Sequence, residues 1–129
     1  MALGRVKVMR VGLGACWLVL AALGCSSASS RTQAAEETVR RFFAALPSED
    51  CAVLAPLLAT GGSARSCEET VRELNEHGIS LVAISGSTVD GRDAEAVIVR
   101  TRVASGGSER KEPWLLRVER QAGAWRVRF

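Results

Sequence analysis

Four cysteines, a single histidine and no tyrosine limit the chemistry open to this chain of 129 residues. One histidine is too few for most zinc sites, so we expect no metal site. No serine, histidine and aspartate are spaced in a way that predicts a nucleophilic triad. The sequence therefore assigns no catalytic residue, no metal ligand and no cofactor, and the cysteines become the residues of interest.

The start of the chain has the pattern of a secretion signal, which we expect to occupy residues 1–24. Residues 1–10 are basic and contain no acid, and residues 11–23 are apolar. An apolar run this short does not span a bilayer stably, but its length is typical of a signal peptide. Its basic residues account for the net charge of +3, so the remaining chain is neutral. A basic nucleic-acid-binding protein is thereby excluded.

Cys25 directly follows this segment, in the sequence Ala21-Ala22-Leu23-Gly24-Cys25. The sequence resembles the bacterial lipobox, in which a small residue precedes the cysteine. The resemblance implies that the Cys25 thiol is acylated, that cleavage follows Gly24, and that the acyl chains hold the protein at the cell envelope. Ser26, in place of an aspartate, implies the outer membrane, with the protein facing the periplasm.

Two alternatives to lipidation at Cys25 stay open. Cys16 also follows a small residue, but it lies inside the apolar run and soon after Arg10. An ordinary signal peptide with an incidental cysteine would instead release the protein. The lipobox usually has leucine three places before its cysteine, where this chain has Ala22.

Cys51 and Cys67 follow later in the chain. Because exported proteins meet an oxidising compartment, we expect these two cysteines to form a disulfide. Closing a loop of this length would stabilise the fold by about 3 kcal/mol. A redox function and two buried free thiols are the alternatives, and the absence of a Cys-x-x-Cys motif weighs against the redox function.

The chain after Cys25 divides into a tether and a domain. Residues 26–33 are small and polar without an apolar period, so we expect residues 25–33 to be the lipidated cysteine and a flexible tether. Residues 34–129 are long enough for one small domain. Glu36 and Glu37 are expected in the first turn of its first helix.

Three helices are expected at the start of this domain. Apolar residues recur at helical spacing in the first, at Val39, Phe42, Phe43 and Leu46. The second would begin after Ser48 and be kinked or split by Pro56. The third has a capping box, Ser66 with Glu69, and a stop signal at Gly78. The second helix is expected to bury four apolar side chains, Val53, Leu54, Leu57 and Leu58.

Four strands are expected in the second half of the domain, at residues 79–89, 94–103, 112–120 and 124–129. Asp90-Gly91 predicts a tight hairpin, Gly86 a bulge, residues 104–108 a loop, and Ala122-Gly123 a turn. Alternation places one set of residues against the helices: Val97, Val99, Val103, Trp114, Leu116, Val118, Trp125, Val127 and Phe129. Helices followed by antiparallel strands predict an α+β fold.

This element order, ending in Gly123-Ala124-Trp125-Arg126-Val127, resembles the nuclear-transport-factor-2-like superfamily. The resemblance covers residues 34–129 and implies three helices packed on a curved, cone-like, four-stranded antiparallel sheet. That superfamily includes isomerases, dehydratases and many non-catalytic binding domains, so the fold does not choose among them. Its isomerases use a tyrosine-centred oxyanion hole, which a chain without tyrosine lacks.

Five arginines fall on the outward positions of the strands, and we call them the arginine row: Arg100, Arg102, Arg117, Arg126 and Arg128. The row is either a solvated face, a face for an anionic partner, or a homodimer interface through the sheet. Glu95, Glu112 and Glu119 would offset it locally, and Asp90 and Asp93 are expected to be turn residues. His77 is expected at the end of the third helix, in solvent rather than as a ligand or base.

These observations favour a non-enzymatic, membrane-tethered binding or interaction domain in the cell envelope. Its expected partners are the membrane, through the lipid anchor, and an unidentified envelope protein or small ligand. The alternative is an enzyme, of the isomerase or dehydratase kind, that works in a pocket between sheet and helices. That alternative requires a carboxylate at the floor of the pocket and a hydrogen-bond donor close to it.

Overall fold

A computed structural model describes residues 28–129, and the expected signal peptide and Cys25 lie outside this range. The helical part comprises α1 (Ala28–Ala45), a 3-10 turn (Leu46–Ser48), α2 (Cys51–Leu54), a second 3-10 turn (Ala55–Leu57) and α3 (Cys67–Glu76). The strands are β1 (Ile79–Val89), β2 (Ala96–Ser105), β3 (Ser108–Glu109), β4 (Trp114–Gln121) and β5 (Ala124–Arg128). The α+β class and the antiparallel sheet are confirmed, with a fifth, two-residue strand.

Helix α1 begins earlier than the sequence predicts. Residues 28–33, expected to be part of a flexible tether, form its first turns. Alanine, serine, arginine and glutamine tolerate the helix, and each residue added to an existing helix gains a hydrogen bond. Glu36 and Glu37 therefore lie inside the helix rather than in its first turn, where they pair with Arg40 and Arg41 one turn later.

Proline divides the second helical segment, as expected. Pro56 lies in the 3-10 turn that follows the short α2, so no long helix forms there. The N-cap of α2 is Asp50, whose Oδ1 accepts from the Ala52 amide at 3.0 Å, and not Ser48. Val53 is 52% exposed, which makes the expectation of its burial wrong, while Leu54 and Leu58 are buried as expected.

The signals that bound α3 are confirmed. Ser66 is its N-cap and accepts a hydrogen bond from the Glu69 amide at 3.2 Å. His77 is the C-cap that follows the last helical residue, Glu76, and Gly78 after it has a φ of 60°. A Cβ at Gly78 would lie 3.1 Å from the backbone nitrogen of Gly106, so glycine is required there for space as well as for conformation.

The strands follow the order β1-β2-β4-β5, and β3 pairs with the end of β2. The pairing of β1 with β2 shifts twice, once on each side of Ala83, and the second shift adjoins Gly86, where a bulge was expected. The free edge of β5 is partly covered, because the Ala59 amide donates to the Val127 carbonyl at 2.8 Å. Two turns differ from expectation: residues 90–95 form a wider loop than a two-residue hairpin, while Gly106-Gly107 form a tight turn.

The core lies between the helices and one face of the sheet. The α1 stripe is buried as predicted, and the rings of Phe42 and Phe129 are 5.0 Å apart. Inward strand residues complete the core: Val97, Val99, Val103, Leu116, Val118 and Val127 are all buried. Trp114 and Trp125 are partly buried against it. This packing fixes the sheet against α3 and leaves an opening at one end.

Candidate functional site

The disulfide between Cys51 and Cys67 is confirmed. Each cysteine occupies the first residue of its helix, α2 or α3, and the two Cα atoms are 6.1 Å apart. The bridge therefore holds the N-terminal end of α3 against the short α2. Because α3 forms one wall of the pocket described next, the bridge also helps to position that wall.

A pocket of about 530 Å³ lies between α3 and the nearby ends of the strands. Such a volume is within the range of about 300–1,000 Å³ that is usual for small-molecule sites. Its apolar wall comprises Leu74, Ile79, Trp114, Leu115, Leu116 and Phe129. Two of these six side chains, Leu74 and Leu116, belong to the buried core, while Leu115 is 59% exposed. The wall thus runs from the core out to the surface.

Charged side chains surround this apolar wall. The lining includes three arginines, Arg65, Arg110 and Arg128, and a single carboxylate, Glu73. Arg65 forms an ion pair with Glu73. The guanidinium of Arg110 lies over the Trp114 ring, 5.8 Å from its centroid, in a cation–π contact.

His77 lies at the end of α3, as expected, and also lines the pocket. Its Nδ1 is 2.9 Å from the carbonyl oxygen of Glu73, one turn earlier in the helix. Its own carbonyl oxygen accepts from the Ser105 hydroxyl at 2.9 Å. The exposed ring is thus tied to its own helix end.

Glu73 is the one carboxylate among the side chains that line this pocket. Its side chain is 46% exposed and is paired with Arg65, so it lies at the rim and not at an apolar floor. A general base with a raised pKa needs burial without a cationic partner. The arrangement of Glu73 is therefore better suited to holding Arg65 in place than to removing a proton.

The arginine row is largely occupied by ion pairs within the chain. Arg117 donates to Oδ2 of Asp90 at 2.6 Å, to Oδ2 of Asp93 at 3.0 Å and to Oε2 of Glu119 at 3.2 Å. The hydrogen bond that Arg117 donates to Asp90 is the largest influence that raises the pKa of Arg117. The Arg92 amide and then Arg117 lower the pKa of Asp90. Asp90 and Asp93 are turn residues, as expected, and they also neutralise Arg117.

Arg128, next to Arg117 across the β4–β5 pair, is held in a similar way. It donates to Glu119 and to the Thr60 and Gly61 carbonyls, at 3.2 and 2.7 Å. Hydrogen bonds from Arg128 and Arg117 lower the pKa of Glu119, and Glu119 raises the pKa of Arg128. This second cluster connects β5 to the loop that follows α2.

The remaining three members of the row differ from each other. Arg102 pairs with Glu109 at 2.6 Å. Arg100 and Arg126 have no carboxylate within 4.0 Å in residues 28–129, and the Nε atom of Arg126 is buried without a hydrogen-bond partner. Binding of an anionic partner to this face stays a prediction. Because the other three arginines of the row are already paired, such a partner would have to bind Arg100 and Arg126.

The pocket residues Arg65, Glu73 and Arg110 were not identified from the sequence. They come from a loop, from α3 and from the segment after β3, and nothing in their spacing brings them together. Glu73 and His77 are one helical turn apart, a spacing that predicts a shared helix face. That was the only signal available.

Residues 28–129 contain no group of three or more His, Cys, Asp or Glu that is placed to hold a metal ion. No helix in the same range has the length and apolar character needed to cross a membrane. Comparison of the chain with protein-family models and with curated proteins found no match.

Proposed function

We propose that the protein is a lipid-anchored, non-enzymatic binding domain of the cell envelope, with a nuclear-transport-factor-2-like fold. The pocket beside α3 would take up a small ligand at the envelope. The observation that carries the proposal is this pocket, which combines an apolar wall with charged side chains at its rim. Its volume of about 530 Å³ is within the range that is usual for small-molecule sites.

The fold assignment rests on element order. Helices precede an antiparallel sheet whose main strands are paired in the order β1-β2-β4-β5. The alternative function, an isomerase or dehydratase, is less well supported. It would need a desolvated carboxylate, whereas Glu73 is exposed at the rim and paired with Arg65.

Anchoring is tested by metabolic labelling with a radioactive fatty acid in an outer-membrane-bearing host. The wild-type protein and the Cys16→Ser variant should be labelled and should sediment with outer membranes. The Cys25→Ser variant should carry no label and should be released. Equal labelling and sedimentation of the Cys25→Ser variant would refute the anchor.

Ligand uptake is tested by native mass spectrometry of the protein extracted from its own membranes. The Leu115→Glu variant places a charge in the apolar wall and should lose a co-purifying small molecule. The Val82→Glu variant is the matched control, because Val82 is also an exposed strand residue (45%) and does not line the pocket. Equal ligand content in both variants, or none in the wild type, would contradict the proposal.

A further inference from the structure

Arg110 differs from the two other arginines that line the pocket. Arg65 is paired with Glu73 and Arg128 with Glu119. Arg110 has no carboxylate within 4.0 Å among residues 28–129, and the neighbouring acid, Glu109, is paired with Arg102 at 2.6 Å. The pocket therefore has one cation whose charge no side chain in the described part of the chain neutralises.

The position of Arg110 leaves it ready to bind an anion. Its guanidinium lies over the Trp114 ring, and its backbone amide donates to the Val103 carbonyl at 2.9 Å. A cation–π contact does not occupy the N–H donors of the guanidinium as a hydrogen bond would. Those donors match the two oxygens of a carboxylate or phosphate group.

The apolar wall begins beside this cation. Trp114 contacts Arg110 and is itself part of the wall, which also includes Leu116 on the same face of β4 and Leu74 on α3. An apolar group that covers this wall would be removed from water, at a gain of about 25 cal/mol per Å² buried. A single ligand that both neutralises Arg110 and covers the apolar wall must therefore have an anionic part and an apolar part.

We propose that the pocket binds a small amphiphilic anion, with its carboxylate or phosphate group on Arg110 and its hydrocarbon part against Trp114 and Leu74. This inference rests on the proposed function, because it names the ligand class of the same pocket. Arg110 acts as the anion-binding residue. Trp114 holds the guanidinium in place and forms the adjoining wall.

The test compares four probes of equal chain length: octanoate, octyl phosphate, octanol and octylammonium. The mature protein is held in phosphatidylcholine nanodiscs, and a Trp125→Phe background lets the fluorescence of Trp114 report binding. Octanoate or octyl phosphate should bind at least about tenfold more tightly than octanol, because a hydrogen bond to a charged group is worth at least that factor. The tighter of the two anions identifies the head group.

Arg110→Gln should reduce anion affinity by about tenfold or more and leave octanol binding unchanged. Arg120→Gln in the same Trp125→Phe background is the control for loss of a surface cation, because Arg120 pairs with Glu95 and does not line the pocket. If octanol or octylammonium bound as tightly as the anions, the ligand class would be wrong while the proposed pocket function stood. If no probe changed the fluorescence of Trp114, the inferred ligand class would be overturned, and the proposed function would be decided by the co-purifying molecule alone.

Discussion

Arg117 in β4 donates from Nη1 to Oδ2 of Asp90 at 2.6 Å, although Asp90 follows β1, two strands away in the sheet. The guanidinium also reaches Asp93 at 3.0 Å. Both aspartates accept amide hydrogens from their own loop as well, from Arg92 at 2.9 Å and from Glu95 at 3.0 Å. One side chain in the sheet therefore fixes the loop between β1 and β2.

Arg117→Gln should destabilise the protein by about 1–2 kcal/mol, because three carboxylates lose their shared partner. Arg100→Gln is the matched control on the neighbouring strand. Arg100 is exposed and has no ion pair in the described part of the chain, so its change should stay within about 0.5 kcal/mol. Urea unfolding measures both variants. An equal loss of unfolding free energy in both variants would mean that the ion pairs of Arg117 do not stabilise the fold.

Stability should fall in acid because the Glu119 carboxylate must stay ionised. Arg128 and Arg117 hold its pKa in the folded protein below the ordinary value of 4.5. The resulting stabilisation is present above that value and is lost as pH falls from it towards the folded-state pKa. Glu119→Gln should therefore be less stable at neutral pH and should lose less stability on acidification.

Urea unfolding at a series of pH values from neutral to acid measures how steeply the free energy of unfolding falls with pH. Glu112→Gln is the control, because Glu112 is exposed and forms no ion pair in the described range. The free energy of unfolding of Glu112→Gln should fall on acidification as steeply as that of the wild type. If the free energy of unfolding of both variants depends on pH as it does in the wild type, Glu119 is not the source of the acid sensitivity.

Reduction of the Cys51–Cys67 bridge should destabilise the protein by about 3 kcal/mol, since the bridge closes a loop of 16 residues. The Cys51→Ala, Cys67→Ala double variant should lose a similar amount and should no longer respond to reductant. Alkylation followed by mass spectrometry gives the thiol count. Labelling of either cysteine in the unreduced mature protein would contradict the bridge.

Val53 and Leu54 are adjacent, but truncation should destabilise the protein strongly only at Leu54. Leu54 is 0% exposed and Val53 is 52% exposed. Leu54→Ala should cost about 2–5 kcal/mol, because it removes buried methyl groups and leaves a cavity. Val53→Ala should change stability by less than about 0.5 kcal/mol. Thermal unfolding compares the two, and a larger loss for Val53→Ala would mean that the segment faces the other way.

The burial of Val53 was mispredicted because a one-turn helix has no periodicity that can be read reliably. The α1 stripe through Val39 and Phe42 was predicted correctly, since several turns repeat the same spacing. The start of α1 was missed for a related reason. Its first residues have no apolar stripe, so composition alone suggested a tether.

The pocket could not be predicted from the sequence. Arg65 and Glu73 lie in a loop and a helix, and Arg110 follows a two-residue strand that was not expected. Two of the three partners of Arg117 were also missed. The sequence named Glu119 among the acids that would offset the row but assigned Asp90 and Asp93 to the turn alone, because pairing across the sheet depends on strand order and register.

The sequence by itself determined features that depend on neighbouring residues: the capping of α3 by Ser66, its stop signal at Gly78, the break at Pro56, and the inward faces of β2, β4 and β5. These follow from local hydrogen bonding, backbone sterics and alternation. Only the tertiary structure decided which arginines are neutralised and that Arg110 adjoins an apolar pocket. Those relationships depend on the order in which strands pair and on how α3 packs against their ends, and local sequence spacing encodes neither.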